Sequence, residues 1–303
     1  MSRQKEKTAS SIDPLILFLV LPLLFFIPFI ISYYLTNSYL ERKSAVSLEE
    51  EVTHFEKVIN LDDLNSLYGK NHSPKTFSKD KVVVLAYHQV KEVEASDSEK
   101  ARLFITSPEV FEEEMKLLRD KGYSSISLTK YIEHLNNRIL HPIPEKSVVI
   151  TFDDGYSSQY KNAFPVLKKY GFTATFFLYM DCIDKYPTCL TSGEIKEMTE
   201  SGMTLANHTL RHTFLTEQKD SLIRQEILDN EKLLQEKFGI ENIEKILAYP
   251  YGVEDERVRQ ILKDLGYIGG AGVTRGVEID NKNVFNLYRY LMGNNLGIFE
   301  ELF

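Results

Sequence analysis

The chain has 303 residues, 43% of them hydrophobic and 26% charged, enough to bury the core of one large domain or two small ones. Its net charge of −8, with Lys and Arg spread rather than clustered, excludes the basic stripe of a nucleic-acid binder. Two cysteines, Cys182 and Cys189, exclude a disulfide-dense scaffold, and no fixed-period repeat or low-complexity segment occurs.

The first element in chain order is apolar. No charged side chain occurs from Pro14 to Leu40, and residues 15–35, "LILFLVLPLLFFIPFIISYYL", match the roughly 20 residues that cross a bilayer core as a helix. Pro22 and Pro28 are tolerable in such a helix, and Tyr33 and Tyr34 sit where an interfacial belt lies. A cleaved signal peptide is the rival reading. The length of the run and the lack of an A-x-A-like site after it favour an uncleaved signal anchor. The expected layout is a cytoplasmic N-terminus at 1–14, a transmembrane anchor at 15–35, a stalk at 36–80 and a folded domain at 81–303 outside the cytoplasm. In an oxidising compartment "CIDKYPTC" closes a disulfide or keeps two thiols; the sequence leaves both open.

Within the stalk, Val52, Phe55 and Ile59 recur at helical spacing, and "KNHSPKTFSKDK" reads as linker. Beyond it, strand-like and helix-like segments alternate. "KVVVLAYH" predicts a buried strand. "SPEVFEEEMKLLRDKG" predicts a helix with Ser107 as cap, Pro108 at the first position and Gly122 just past the end. "SVVITF", "TATFFLYM", "MTLANH", "KILAYP" and "VFNLYRYL" predict further strands. "NAFPVLKKYG", "TSGEIKEMTESG", "SLIRQEILDNEKLLQEKFG" and "DERVRQILKDLG" predict the helices between them. Apolar strands separated by helices imply a parallel α/β sheet, either a closed barrel or an open doubly wound sheet. No G-x-G-x-x-G follows a strand, which removes the usual dinucleotide signature of the open form.

In a barrel, residues just past the strand C-termini converge on one face. Those positions carry His88, the pair Asp153–Asp154 in "TFDDG", His208 in "LANHTLRH", and Pro250, Tyr251 and Gly252 in "LAYPYG". His208 and His212 stand four apart, so on a helical turn they share a face and can bind one divalent ion. Two adjacent carboxylates repel unless something neutralises them. An ion held by one resolves the conflict, and the other is free to act as a general base toward water.

"TFDDGY", "HTLRH" and "YPYG", in this order, resemble the polysaccharide deacetylase family, the NodB-homology domains of carbohydrate esterase family 4. The resemblance covers roughly residues 81 to 291. It implies a distorted (β/α)7 barrel, Asp153 as catalytic base, and Asp154, His208 and His212 as ligands of a divalent ion. Zn²⁺ is the default from ligand type, and Co²⁺, Ni²⁺ or Fe²⁺ suit the same ligands. It also implies that the backbone N–H of Tyr251 stabilises the oxyanion. Two departures stand out. The Arg that family members often carry two residues before the third motif's proline is Ala248 here, and no His follows His212. The layout is similar to the subgroup acting on poly-N-acetylglucosamine of biofilm exopolysaccharides. That similarity makes His88 the expected acid and Arg289, in "NLYRYL", the expected replacement for the missing Arg. His54, His72, His134 and His141 fall in stalk, linker or surface turns.

The expected activity is metal-dependent N-deacetylation of N-acetylglucosamine residues in an extracytoplasmic polysaccharide. Peptidoglycan deacetylation, O-acetyl ester hydrolysis, and a non-catalytic carbohydrate-binding role are the alternatives. The expected partners are the N-acetylated polysaccharide and the membrane.

Overall fold

The computed structural model describes residues 82–273 and 283–303. The expected anchor at 15–35 and the stalk at 36–80, with His54 and His72, lie outside them. Among the described residues no helix is long and apolar enough to cross a membrane.

From the N-terminal side the elements are β1 (Val83–Tyr87), β2 (Gln89–Val90), β3 (Ile105–Thr106), α1 (Pro108–Asp120), β4 (Ser124–Ser125), α2 (Leu128–Asn136) and β5 (Ser147–Phe152). There follow α3 (Phe164–Tyr170), β6 (Thr175–Leu178), α4 (Ser192–Glu200), β7 (Thr204–Asn207), α5 (Asp220–Phe238), β8 (Ile243–Ala248), α6 (Glu256–Asp264), β9 (Gly269–Ala271), β10 (Tyr290–Leu291) and α7 (Leu296–Leu302). The helix ends follow their side chains. Ser107 accepts from Val110 N at the start of α1, and Thr191 and Glu194 form a capping box on α4.

The main sheet runs β10-β1-β5-β6-β7-β8-β9, with every pairing parallel. One stretch reaches both of its edges. Leu287 N donates to Gly270 O and Gly272 N donates to Leu287 O on the β9 side, while Tyr290 and Leu291 pair with Leu85 and Ala86 on β1. This parallel α/β architecture is consistent with the expected distorted (β/α)7 barrel. The expected strand "VFNLYRYL" is shorter than its sequence implies: only Tyr290–Leu291 is a strand, preceded by an isolated bridge at Leu287.

The structure adds α2, β9, α7 and the two-residue strands β2, β3 and β4 to the predicted elements. His134, expected in a surface turn, lies in α2, with Nδ1 2.8 Å from His141 O. Helix α2 is short and has no glycine at or just past its C-cap Asn137, a weaker stop signal than that of α1, α3, α4, α5 and α6, each of which has a glycine there.

Period-two alternation sorts the strand residues into two environments. Val83, Leu85, Tyr87, Val148, Ile150, Phe152, Phe176 and Leu178 join Phe111, Met115 and Leu118 of α1 in the largest apolar cluster. The intervening Val84, Val149, Phe177, Ala206, Ile246 and Ala248 form a second cluster with Ala271 and Leu287. These residues come from six strands and the seam, so the second cluster is the interior enclosed by the sheet. By the same parity Thr151 and Asp153 face that interior.

Candidate active site

The predicted strand-end groups converge. His88 follows β1, Asp153 and Asp154 follow β5, His208 follows β7, and Pro250–Gly252 follows β8. Asp153 and Asp154 are both buried, at 2% and 3% exposure, yet they meet different partners. Asp154 has φ 72° and Gly155 also has φ 72°. A left-handed pair turns the chain sharply, so the two carboxylates leave the strand in different directions. At Gly155 a Cβ would crowd Leu178 Cδ2 at 3.0 Å and Ile183 Cδ1 at 3.1 Å in a backbone conformation that favours glycine.

Asp154 Oδ1 lies 3.2 Å from His208 Nε2 and 3.4 Å from His212 Nε2. One ligand atom from each of the three residues lies within 4.8 Å of the others. His208 Nδ1 is 2.9 Å from Ala248 O, an acceptor only, so that nitrogen carries the proton. His208 Nε2 faces the Asp154 carboxylate, and that contact is satisfied by a proton on Nε2 or by a cation held between the two groups. The donor set of two imidazoles and one carboxylate is the one a catalytic Zn²⁺ site uses, so the residues fit a divalent ion. Burial acts against ionisation of Asp154, and the hydrogen bond from His208 and the other nearby histidines outweigh it, holding the carboxyl well below its ordinary range.

The pair does not lie on a helical turn as its spacing implies. Residues 208–212 form an irregular loop with Thr209 at φ 64° and His212 at φ 55°. Both rings reach Asp154 because side chains outside the loop hold its backbone. Asn207 Oδ1 accepts from Thr209 N at 2.8 Å, and Glu226 Oε2 accepts from Arg211 N at 2.9 Å.

Asp153 faces the other way. Both of its oxygens accept from Arg289, from Nη1 and Nη2 at 2.7 Å each. Arg289 is fully buried. It also donates to Thr151 Oγ1 at 3.1 Å and Gly272 O at 3.0 Å, and its guanidinium lies 5.0 Å from the Phe177 ring. The fork-to-fork pair satisfies a charge that burial alone would neutralise. Burial pushes the Asp153 carboxyl up, but the Arg289 charge and hydrogen bonds outweigh it and the carboxyl sits below its usual range. The small Ala248 lines the same interior, and Arg289 enters it from the seam next to β1.

His88 Nε2 is 3.9 Å from Asp153 Oδ2, too far for a hydrogen bond, and its buried Nδ1 has no partner. The ring packs edge-on against Phe104 at 4.9 Å. Burial lowers its pKa, and Asp154 and Asp153 only partly restore it. Gln159 Nε2 fixes this region by donating to His88 O at 2.9 Å and Asp153 O at 2.5 Å. Tyr251 sits in the turn after β8 with φ 61°. Its ring lies 4.5 Å from that of His212 and stacks on Phe214.

Cys182 and Cys189 form a disulfide, which settles the open alternative. The residues flanking the loop it closes are tied to the segments that carry Asp154 and the two histidines: Leu190 N donates to Gly155 O at 2.8 Å, and Asp181 N to Leu210 O at 3.0 Å. Sequence reasoning missed Thr151, Gln159, Asn207, Glu226 and Asn230 around the site. The one available signal is a polar residue at a position whose period demands an apolar one, as at Asn230 and Glu226 on α5, both buried.

Residues 141–269 match the family model described as Polysaccharide deacetylase. The YxkH protein of Bacillus subtilis, whose name places it among polysaccharide deacetylases, is 32% identical over 215 residues, covering 71% of this chain and 72% of that protein. The poly-beta-1,6-N-acetyl-D-glucosamine N-deacetylase of Staphylococcus aureus is 25% identical over 268 residues, covering 81% of this chain and 90% of the relative. Among solved structures, the Streptococcus pyogenes deacetylase PplD in complex with acetate superposes with TM-score 0.66 at 27% identity, covering 73% of this chain and 96% of that one.

Proposed function

The chain belongs to the polysaccharide deacetylase family, hydrolases acting on the amide bond of N-acetylated sugars, and from that premise we propose that it deacetylates N-acetylglucosamine residues of an extracytoplasmic polysaccharide. The observation that carries the reading is the division of the Asp153–Asp154 pair, one carboxylate against Arg289 and the other against two histidines. The similarity to the poly-beta-1,6-N-acetyl-D-glucosamine N-deacetylase supports the substrate class.

Asp154, His208 and His212 would hold a divalent ion, Zn²⁺ by ligand type. When bound, such an ion supplies Lewis-acid polarisation of the acetyl carbonyl and favours ionisation of water. Asp153 accepts the proton that the attacking water gives up. The grip of Arg289 orients its carboxylate and keeps it ionised. Each oxygen accepts one Arg289 N–H and keeps a second lone pair for that proton. His88 hands a proton to the nitrogen of the departing amine from Nε2, the ring atom directed toward Asp153. The backbone N–H of Tyr251, aimed by an unusual left-handed φ, donates to the oxyanion. Residues 15–35 anchor the domain at 81–303 to the membrane, on the extracytoplasmic side.

Acetate release from poly-β-1,6-N-acetylglucosamine and chitooligosaccharides, with and without chelator, tests the reading. Release should stop on chelation and return with Zn²⁺. Polymer binding with no acetate released, or release from an ion-free sample, sinks it. Protease accessibility of the domain on intact cells tests the topology.

A further inference from the structure

The metal-bearing loop cannot satisfy its own backbone. Left-handed φ at Thr209 and His212 breaks any helix or strand ladder, and a non-glycine residue keeps such a backbone only where its surroundings hold it. The chain around it therefore shows what holds the loop. His208 N donates to Leu178 O on β6, at 3.2 Å. Thr209 N donates to Asn207 Oδ1, and Leu210 O accepts from Asp181 N. Arg211 N donates to Glu226 Oε2.

Two of these holds lead to one face of α5. Glu226 and Asn230 are four apart, so their side chains lie one turn above the other. Glu226 is 1% exposed and takes both the backbone N–H and the guanidinium of Arg211, the residue before His212. Asn230 is fully buried, and both of its N–H donors and its Oδ1 are engaged. Its Oδ1 accepts from Met180 N at 2.8 Å, and its Nδ2 donates to Leu178 O at 2.8 Å and to Asn207 Oδ1 at 2.9 Å. Asn207 precedes His208, and its own Nδ2 returns to Ile227 O of α5 at 2.8 Å and to Tyr267 OH at 2.7 Å. Burying a carboxylate and a carboxamide on a helix face is costly unless every polar atom is matched. Here Glu226 is matched by Arg211, beside His212, and Asn230 by Asn207, beside His208, and by Leu178 and Met180 at and just past the end of β6.

We propose that Glu226 and Asn230 are positioning residues for the metal site: from α5 they fix the two ends of the 207–212 loop so that His208 and His212 converge on Asp154. The inference rests on the metal reading of those three residues. Neither α5 side chain touches substrate or ion; each acts through the histidine-bearing backbone.

The test uses the full chain, stripped of metal and titrated with Zn²⁺ against a chromophoric chelator. Glu226→Ala and Asn230→Ala should weaken Zn²⁺ binding by about 10–100-fold, the usual range for partners that orient ligands. Glu226→Gln retains an acceptor for Arg211 N and should recover most of that loss. Leu234→Ala, a core truncation on the same helix with no bond to the loop, should lower Tm and leave the Zn²⁺ Kd unchanged. If Asn230→Ala does not fold, the Glu226 pair decides, since its loop partner Arg211 is half exposed. A Glu226→Ala affinity within twofold of wild type, or an equal loss in Leu234→Ala, overturns the inference. His208→Ala separates that failure from failure of the reading beneath it. If His208→Ala binds Zn²⁺ as wild type does, the ligand set itself is wrong and the inference falls with it.

Discussion

The two halves of the site are built from opposite kinds of support. Asp154, His208 and His212 hang on loops, two of them with left-handed backbone, and are held by a helix outside the sheet. Asp153, Thr151 and Arg289 belong to the interior of the sheet itself, where the guanidinium is fully buried and every bond it makes is internal. On the proposed function, the half that would admit an ion and a sugar has loops that can be tuned. A half that must keep one carboxylate charged and aimed has a packed interior that cannot relax. The dividing line runs between two consecutive residues, Asp153 and Asp154.

The largest expected effects test that line directly. Asp154→Asn should lose bound Zn²⁺ and activity together. Asp153→Asn should lose activity by about 10²–10⁴-fold, the range of a removed general base, while Zn²⁺ content stays at wild-type level. Metal analysis beside acetate release reads both. If Asp153→Asn sheds the ion as completely as Asp154→Asn, the two halves are one cluster and the division is wrong.

Arg289→Ala strikes the packed half alone. It leaves Asp153 buried without its counter-charge, a break that costs about 3–5 kcal/mol. The sign with pH follows from the lowered pKa of Asp153. The carboxylate is ionised above that pKa, and the stability it contributes is lost as pH falls through it. Without Arg289, burial dominates and the pKa rises. The acid limb of the kcat/KM profile should therefore move to higher pH. An unchanged acid limb, or an unchanged Tm, would remove Arg289 from its assigned place. Zn²⁺ binding should be nearly untouched, the reverse of the expectation for Glu226→Ala.

The same division governs how much of the site the sequence reveals. "TFDDG" and "HTLRH" are local, so the ligand residues stand out in one dimension. Even there the spacing misleads about the backbone: His208 and His212 share a target because Asn207 and Glu226 hold an irregular loop, not because they sit on a helix. Arg289 is 136 residues from Asp153 and meets it only because the stretch before β10 lies beside β1 and reaches across to β9. No local pattern encodes that meeting, and only the resemblance to a family points to it. The strands with period-two apolar runs are legible, whereas β9, three residues long with two glycines, carries no such pattern.

The smallest effect lies behind the packed half, where Tyr87, the neighbour of His88, donates to Glu114 Oε2 at 2.8 Å within the apolar cluster under α1. Burial raises the Glu114 carboxyl from its ordinary value to about 8, against the lowering effect of the Tyr87 bond. The folded chain therefore keeps a proton that the unfolded chain gives up near pH 4.5. The contribution of Glu114 to native stability is full below that pH and falls as pH rises toward about 8, by at most about 1.4 kcal/mol per unit. Glu114→Gln keeps an acceptor for Tyr87 and cannot ionise, so its Tm should exceed wild type by on the order of 5 °C at pH 8 and converge with it near pH 4.5. Zn²⁺ affinity should not change, because nothing in this pair reaches the 207–212 loop. Parallel Tm curves for the two proteins across that range would mean that Glu114 is ionised in the core. A shifted Zn²⁺ Kd would mean that the two halves are mechanically coupled through β1 and β5, and the contrast between them would then be one of position only.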